Sequence, residues 1–175
     1  LIDRAGDDAV LEGRRTEVVV VFCDLRGFTA FSAGVAPEEV MSLLSEYYEA
    51  LGRVITQFAA TLISFSGDGL LVLVNAPVPV EEPALRAVDL AVAMQKSVQE
   101  LIAGWRSRGY QVGFGVGLAS GSATVGRIGY ENRFDYTAIG SVVNLAAHLC
   151  ASAADRQILM NAEVADCVRG KHALE

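Results

Sequence analysis

Apolar and polar positions along this chain fall into runs of two different periods. Glu17 to Cys23 (EVVVVFC) is a continuous valine-rich run, with the length and composition of a strand buried on both faces. It breaks off at Asp24-Leu25-Arg26-Gly27-Phe28-Thr29, where polar and small residues end the pattern. From Pro37 the period changes. Val40, Leu44, Tyr47, Leu51, Val54 and Phe58 recur every three or four residues, which predicts an amphipathic helix from Pro37 to about Ala60. Pro suits the first helical position, and Glu38 and Glu39 complement the exposed amides behind it. Thr61 to Ser66 and Leu70 to Asn75 are β-rich runs around Gly67-Asp68-Gly69, a hairpin with Asp68 at its tip.

After a loop punctuated by Pro77, Pro79 and Pro83, the positions Val88, Ala91, Val98, Leu101 and Trp105 trace a second long helix. In Val112 to Ala119, Gly113, Gly115 and Gly117 alternate with Phe114, Val116 and Leu118. That is a strand with one side nearly bare, against which something is expected to pack closely. Ala123 to Ile128 reads as another strand, Ser141 to about Ala153 as a third helix, and Arg156 to Met160 as a late strand before a short helix. Helices alternating with strands, with a hairpin between the first two helices, predict an α+β fold in which one mixed sheet is covered by helices.

A chain of 175 residues can bury a core without disulfides or structural metal, so one domain is expected. Hydrophobic residues make up 52%, yet the apolar runs are too short to cross a bilayer. The net charge of −7, with the basic residues scattered, argues against a nucleic-acid partner. The three cysteines, Cys23, Cys150 and Cys167, lack CxxC spacing and read as small reduced hydrophobes, which suits the cytoplasm. Residues 1–16 are charged and read as a lead-in, with the functional domain at 17–175. Starting at Leu1 without a signal peptide, the domain is expected to lie in a longer polypeptide.

Asp24 ends one strand and Asp68 sits in a turn, so both carboxylates stand at sheet ends where they can project over a cleft. Two acids suffice to hold Mg²⁺ when substrate phosphates and water complete the octahedron. Asp is also common in turns because it caps nearby amides, so this placement alone leaves both roles open. The backbone of Leu25 to Thr29 can curl around Gly27 and aim N–H groups at an anion. No GxxxxGK[ST], GxSxG or HExxH is present, which removes P-loop, serine-hydrolase and zinc-protease readings. Asn144 and His148 stack four residues apart on one helical face in an otherwise apolar segment.

Three segments, FCDLRGFTAFS (Phe22 to Ser32), SFSGDGLLV (Ser64 to Val72) and RFDYTAIGSVVNLAAHL (Arg133 to Leu149), together resemble the catalytic domain of class III nucleotide cyclases. The resemblance implies a ferredoxin-like (palm-type) α+β fold and a head-to-tail homodimer with composite sites. It implies that Asp24 and Asp68 bind two Mg²⁺ or Mn²⁺ ions and that Leu25, Arg26, Gly27, Phe28 and Thr29 cradle the triphosphate with their backbone. The implied reaction is attack of the ribose 3′-hydroxyl of ATP on the α-phosphorus, giving 3′,5′-cyclic AMP and pyrophosphate. A second subunit supplies an Asn and, four residues later, an Arg to the transition state. Asn144 matches the Asn, whereas His148 stands at the Arg position, which implies a site that is weakened, pH-sensitive or silent. Thr137 matches a base-reading position, while Ser64 replaces the Lys of adenylyl cyclases and leaves GTP open. An upstream sensor or membrane region is expected, and the contrasting reading is a cyclase-fold module that binds nucleotide or dimerises with little catalysis.

Overall fold

The computed structural model describes residues 13–130 and 133–174. Its central element is β1 (Arg14–Arg26), flanked on one side by β3 (Gly69–Val74) and on the other by β4 (Gly113–Tyr130), both antiparallel to it. Flanked on both sides, the valine run is shut off from water: Val18 to Val21 and Cys23 are all buried. β2 (Thr61–Ser66) pairs with β3, β5 (Arg133–Ile139) pairs with β4, and the short β6 (Ile158–Met160) joins β4 in parallel, so the sheet is mixed. The strand order β2-β3-β1-β4-β5 contains the ferredoxin-like β2-β3-β1-β4 core.

Helices cover the two faces unequally. α2 (Pro37–Gln57) and α3 (Pro83–Ser107) lie on one face, where Leu43, Tyr47, Leu51, Leu90 and Met94 meet Val19, Val21, Val116 and Leu118. α5 (Ala162–Val168) adds Val164 and Val168 to this layer. On the other face α4 (Ser141–Ser152) packs Val142 and Ala146 over Val18, Val20, Ala119 and Ala123. Elsewhere on the surface Phe65, Ile128, Phe134 and Ile139 of the sheet and Leu145 of α4 are exposed.

The bare side of β4 is filled by close neighbours. A Cβ on Gly113 would strike the carboxyl group of Asp155, and one on Gly115 would strike the guanidinium of Arg26. On Gly117 it would strike the backbone of α4 at Ala146 and Cys150. Absence of side chains here lets a helix and two polar groups lie directly on the sheet.

Several elements differ from the sequence reading. β1 starts at Arg14, before the expected Glu17, and residues 1–12 of the expected lead-in lie outside the described residues. The strands expected at 112–119 and 123–128 are one strand, because Ser120, Gly121 and Ser122 stay paired with Val19, Val18 and Glu17. α1 (Phe28–Gly34) and β5 were not anticipated. α1 is a helix of 7 residues, too short for a periodic signal, and β5 is interrupted by charged residues. Cys23 and Cys150 are buried as expected, but Cys167 is exposed on α5.

Candidate active site

The site grows from the end of β1. Asp24 lies two residues before the strand stops, and the β1–β3 register, Cys23 opposite Leu70, places the β2–β3 turn with Asp68 beside it. Burial, then a hydrogen bond with Asp68 and the charge of that second carboxylate, push the Asp24 carboxyl up to about 7. The Arg26 guanidinium and the Leu25 N–H, which donates to Oδ1 at 3.0 Å, pull the other way. A carboxyl pushed up by burial and by a neighbouring carboxylate marks a site where a divalent cation can take the proton's place. Among the described residues no third His, Cys, Asp or Glu completes a metal-binding cluster. A cation held here would therefore draw its other ligands from backbone, water and phosphate, which fits Mg²⁺ or Mn²⁺ bound with a nucleotide.

Two features hold this pair in place. Tyr48 on α2 donates its hydroxyl to the carbonyl of Gly67, fixing the turn that carries Asp68, and its ring packs edge-on to Phe65 at 4.8 Å. Gly27 adopts a left-handed φ of 76°, and a Cβ there would come within 2.7 Å of the Gln111 carbonyl, so the chain reverses tightly into α1. The Leu25–Thr29 segment thus wraps the end of β1 beside Asp24. Within it the Leu25 amide is engaged by Asp24, and the Arg26 side chain turns toward α4.

On α4, Val142, Ala146 and Cys150 face the sheet and are buried, while Asn144 and His148 are exposed on the other side, next to the exposed Leu145. Among the described residues neither polar side chain has a hydrogen-bond partner within the chain. Ser64 and Thr137 come together: β2 and β5, at opposite ends of the sheet order, line one cleft of about 480 Å³ with Ile63, Phe65, Ile128, Asp135 and Tyr136. The curl of the sheet that brings these edges together has no sequence signal in either strand. Tyr48 and the Arg26 side chain were also missed by the sequence reading. The glycine lane of β4 was the available clue to the second.

Comparison with known proteins places this geometry in a family. A family model described as the adenylate and guanylate cyclase catalytic domain matches residues 10–175. Adenylate cyclase 1 of Rhizobium meliloti (strain 1021) is 36% identical over 138 residues, covering 77% of this chain and 20% of that protein. An uncharacterized protein of Mycobacterium tuberculosis is 30% identical over 167 residues, 91% of this chain and 28% of that one. The chain therefore spans between about a fifth and about a quarter of these curated relatives. Among solved structures, the guanylyl cyclase Cya2 superimposes with a TM-score of 0.84 at 36% identity, covering 89% of this chain and 79% of that one. The adenylyl cyclase CyaB from P. aeruginosa superimposes with a TM-score of 0.86 at 31% identity, covering 91% and 83%. A family match across nearly the whole chain, joined to the same fold, shows that this chain belongs to the class III adenylate and guanylate cyclase catalytic-domain family.

Proposed function

We propose that the chain converts ATP to 3′,5′-cyclic AMP and pyrophosphate in a head-to-tail homodimer with composite sites. The observation that carries this reading is the Asp24–Asp68 pair at the end of the central strand, placed together by the β1–β3 register, where the second carboxylate helps to push the Asp24 carboxyl up. Asp24 and Asp68 would hold two divalent cations there, which when bound supply charge neutralisation at the triphosphate and acidify the ribose 3′-hydroxyl. The backbone of Leu25 to Thr29 contributes amides to the triphosphate beside that pair. Ser64 and Thr137 present hydroxyls to the base from one cleft. Asn144 and His148 meet the charge that develops on the α-phosphoryl oxygens as the 3′-oxygen attacks in line and pyrophosphate departs.

Support for a composite site comes from α4. Its two polar groups are exposed on either side of the exposed Leu145, as expected of a surface completed by a second copy. Attachment to an upstream sensor or membrane region accords with the chain's share of its relatives' length. No helix among the described residues is long and apolar enough to cross a membrane.

A specific observation favours GTP as the second reading: the base cleft holds Ser64 where an adenine-reading Lys is expected, and a short hydroxyl discriminates poorly between purine edges. Product formation from ATP and from GTP by the purified domain with Mn²⁺, at high protein concentration, decides between them. Cyclic AMP in excess supports the proposal. Cyclic GMP in excess makes GTP the substrate, and silence from both with activity restored in His148→Arg identifies a module disarmed at one residue.

A further inference from the structure

The side chain of Arg26 points away from the triphosphate loop that its backbone helps to form. Its Nε donates to the carbonyl of Ala153 at 2.7 Å, and its terminal nitrogens reach the carbonyl of Cys150, the Cys150 sulfur at 3.7 Å and the Asp24 carboxylate at 3.6 Å. Cys150 and Ala153 close the last turn of α4, where carbonyls lack helical partners and the helix dipole is negative. A planar, always-charged fork satisfies two such carbonyls at once in a fixed geometry that the flexible ammonium of a Lys does not reproduce. The floor beneath it is matched to it: a Cβ on Gly115 would lie 2.5 Å from the guanidinium, so only a glycine lets Arg26 lie flat on β4.

Arg26 therefore joins two things that the composite reading assigns to different sites. Through Asp24 it flanks the metal half of one site. Through α4 it holds the helix that carries Asn144 and His148 to the other. Asn144 and His148 are exposed and lack partners within the chain among the described residues, so their position depends on how their helix is docked. Docking at that end includes the packing of α4 on Gly117, the contact of the Cys150 thiol with the Gly115 carbonyl and the two carbonyls bound by Arg26.

We propose that Arg26 is a positioning residue, whose guanidinium registers α4 against the sheet so that Asn144 and His148 meet the nucleotide held by the second subunit. The inference rests on the composite-site reading. Its effect falls on the transition-state half of the site, and binding of nucleotide at the metal half is left nearly intact. In the homodimer, Arg26→Gln should lower kcat by on the order of tenfold while the KM for nucleotide stays within about twofold. Arg26→Lys, which keeps the charge but not the fork, should fall between the two.

Mixed dimers separate this role from a structural one. Chains bearing Asp68→Ala and Asn144→Ala, purified together through two tags, form the reference dimer with one complete site. Pairing Arg26→Gln with Asp68→Ala forces the working site to use the metal half of the Arg26→Gln chain and an intact α4, so activity should fall only by the loss of the Arg26–Asp24 contact, by about twofold, well short of the loss in the opposite pairing. Pairing Arg26→Gln with Asn144→Ala forces the working site to use the α4 that lacks its anchor, so activity should fall by on the order of tenfold. Equal losses in both pairings, or loss in the first alone, would overturn the proposal. Silence of the reference dimer beside an active wild-type homodimer, or, where wild type is silent, beside an active His148→Arg homodimer with every chain carrying that change, refutes the composite reading instead. The homodimer then decides: an unchanged kcat for Arg26→Gln overturns the positioning role, and a lowered kcat at constant KM sustains it within one subunit.

Discussion

Gly117→Ala is the sharpest test of how the helix that carries Asn144 and His148 is held. The added methyl would point into α4, striking the amide nitrogen of Cys150, with the Ala146 carbonyl oxygen at 2.6 Å and the Cys150 Cα at 2.7 Å. All three are backbone atoms, so no side chain can rotate out of the way. Ordinary contact begins near 3.4 Å, so the helix must retreat from β4 by more than the 0.8 Å missing at the Ala146 carbonyl, since the Cys150 amide lies closer still. Overpacking of this kind costs about 3 kcal/mol, which in a domain of this length lowers Tm by roughly 10 °C. The same retreat moves Asn144 and His148, and misplacement approaching 1 Å at a reacting centre costs on the order of 10- to 100-fold in rate. Thermal unfolding by circular dichroism and steady-state cyclase kinetics read the two effects. Gly104→Ala is the control, since nothing lies within 4 Å of the new methyl on α3 and the replacement should stabilise by roughly 0.5–1 kcal/mol. A Gly117→Ala protein with wild-type Tm and kcat would refute the direct helix-on-sheet packing.

Other outcomes follow from the same structure. His148→Arg should raise turnover by about tenfold or more at neutral pH with KM nearly constant, because a permanent planar cation replaces an imidazole; an unchanged or lower kcat removes His148 from the transition state. Without metal, the Asp24 carboxyl pushed up to about 7 means the folded chain keeps a proton that the unfolded chain loses near 3.8. The stability linked to that proton is present at low pH and is lost as pH rises from about 4 to about 7. Asp24→Asn should flatten this slope, and Mn²⁺ should raise the wild-type Tm more at pH 8 than at pH 6 but leave the variant unmoved. Equal metal shifts in both proteins would contradict metal binding at Asp24. Asp155 shows the opposite sign. Burial pushes its carboxyl up, but bonds from the Phe114 amide, Gln99 and Arg106 outweigh it and hold it below the usual carboxylate range. Asp155→Ala should therefore destabilise the domain at neutral pH, with the difference shrinking as pH falls below the ordinary carboxylate range. A constant difference across the titration would mean that the contribution is packing and not charge.

What the sequence made legible follows from how local each signal is. The valine run, the Pro37 helix start and the Gly67-Asp68-Gly69 turn are decided within a few residues, and the structure reproduces each to within a few positions. The glycines of β4 told that something approaches without telling what, because their partners are Asp155, Arg26 and α4, far away in the chain. Arg26 shows the limit most clearly. In sequence it sits in a loop motif beside Asp24 and reads as part of a phosphate cradle. In the fold its side chain turns back to the end of a helix more than a hundred residues later, and Gly115 supplies the room. The meeting of Ser64 with Thr137 is likewise a product of sheet curl, which no period within either strand encodes. The two halves of the candidate site therefore differ in kind. The carboxylate pair is written locally, at a strand end and a turn, whereas α4 is placed by a glycine lane and one guanidinium. Substitutions in the lane should alter catalysis without touching any residue that meets the nucleotide.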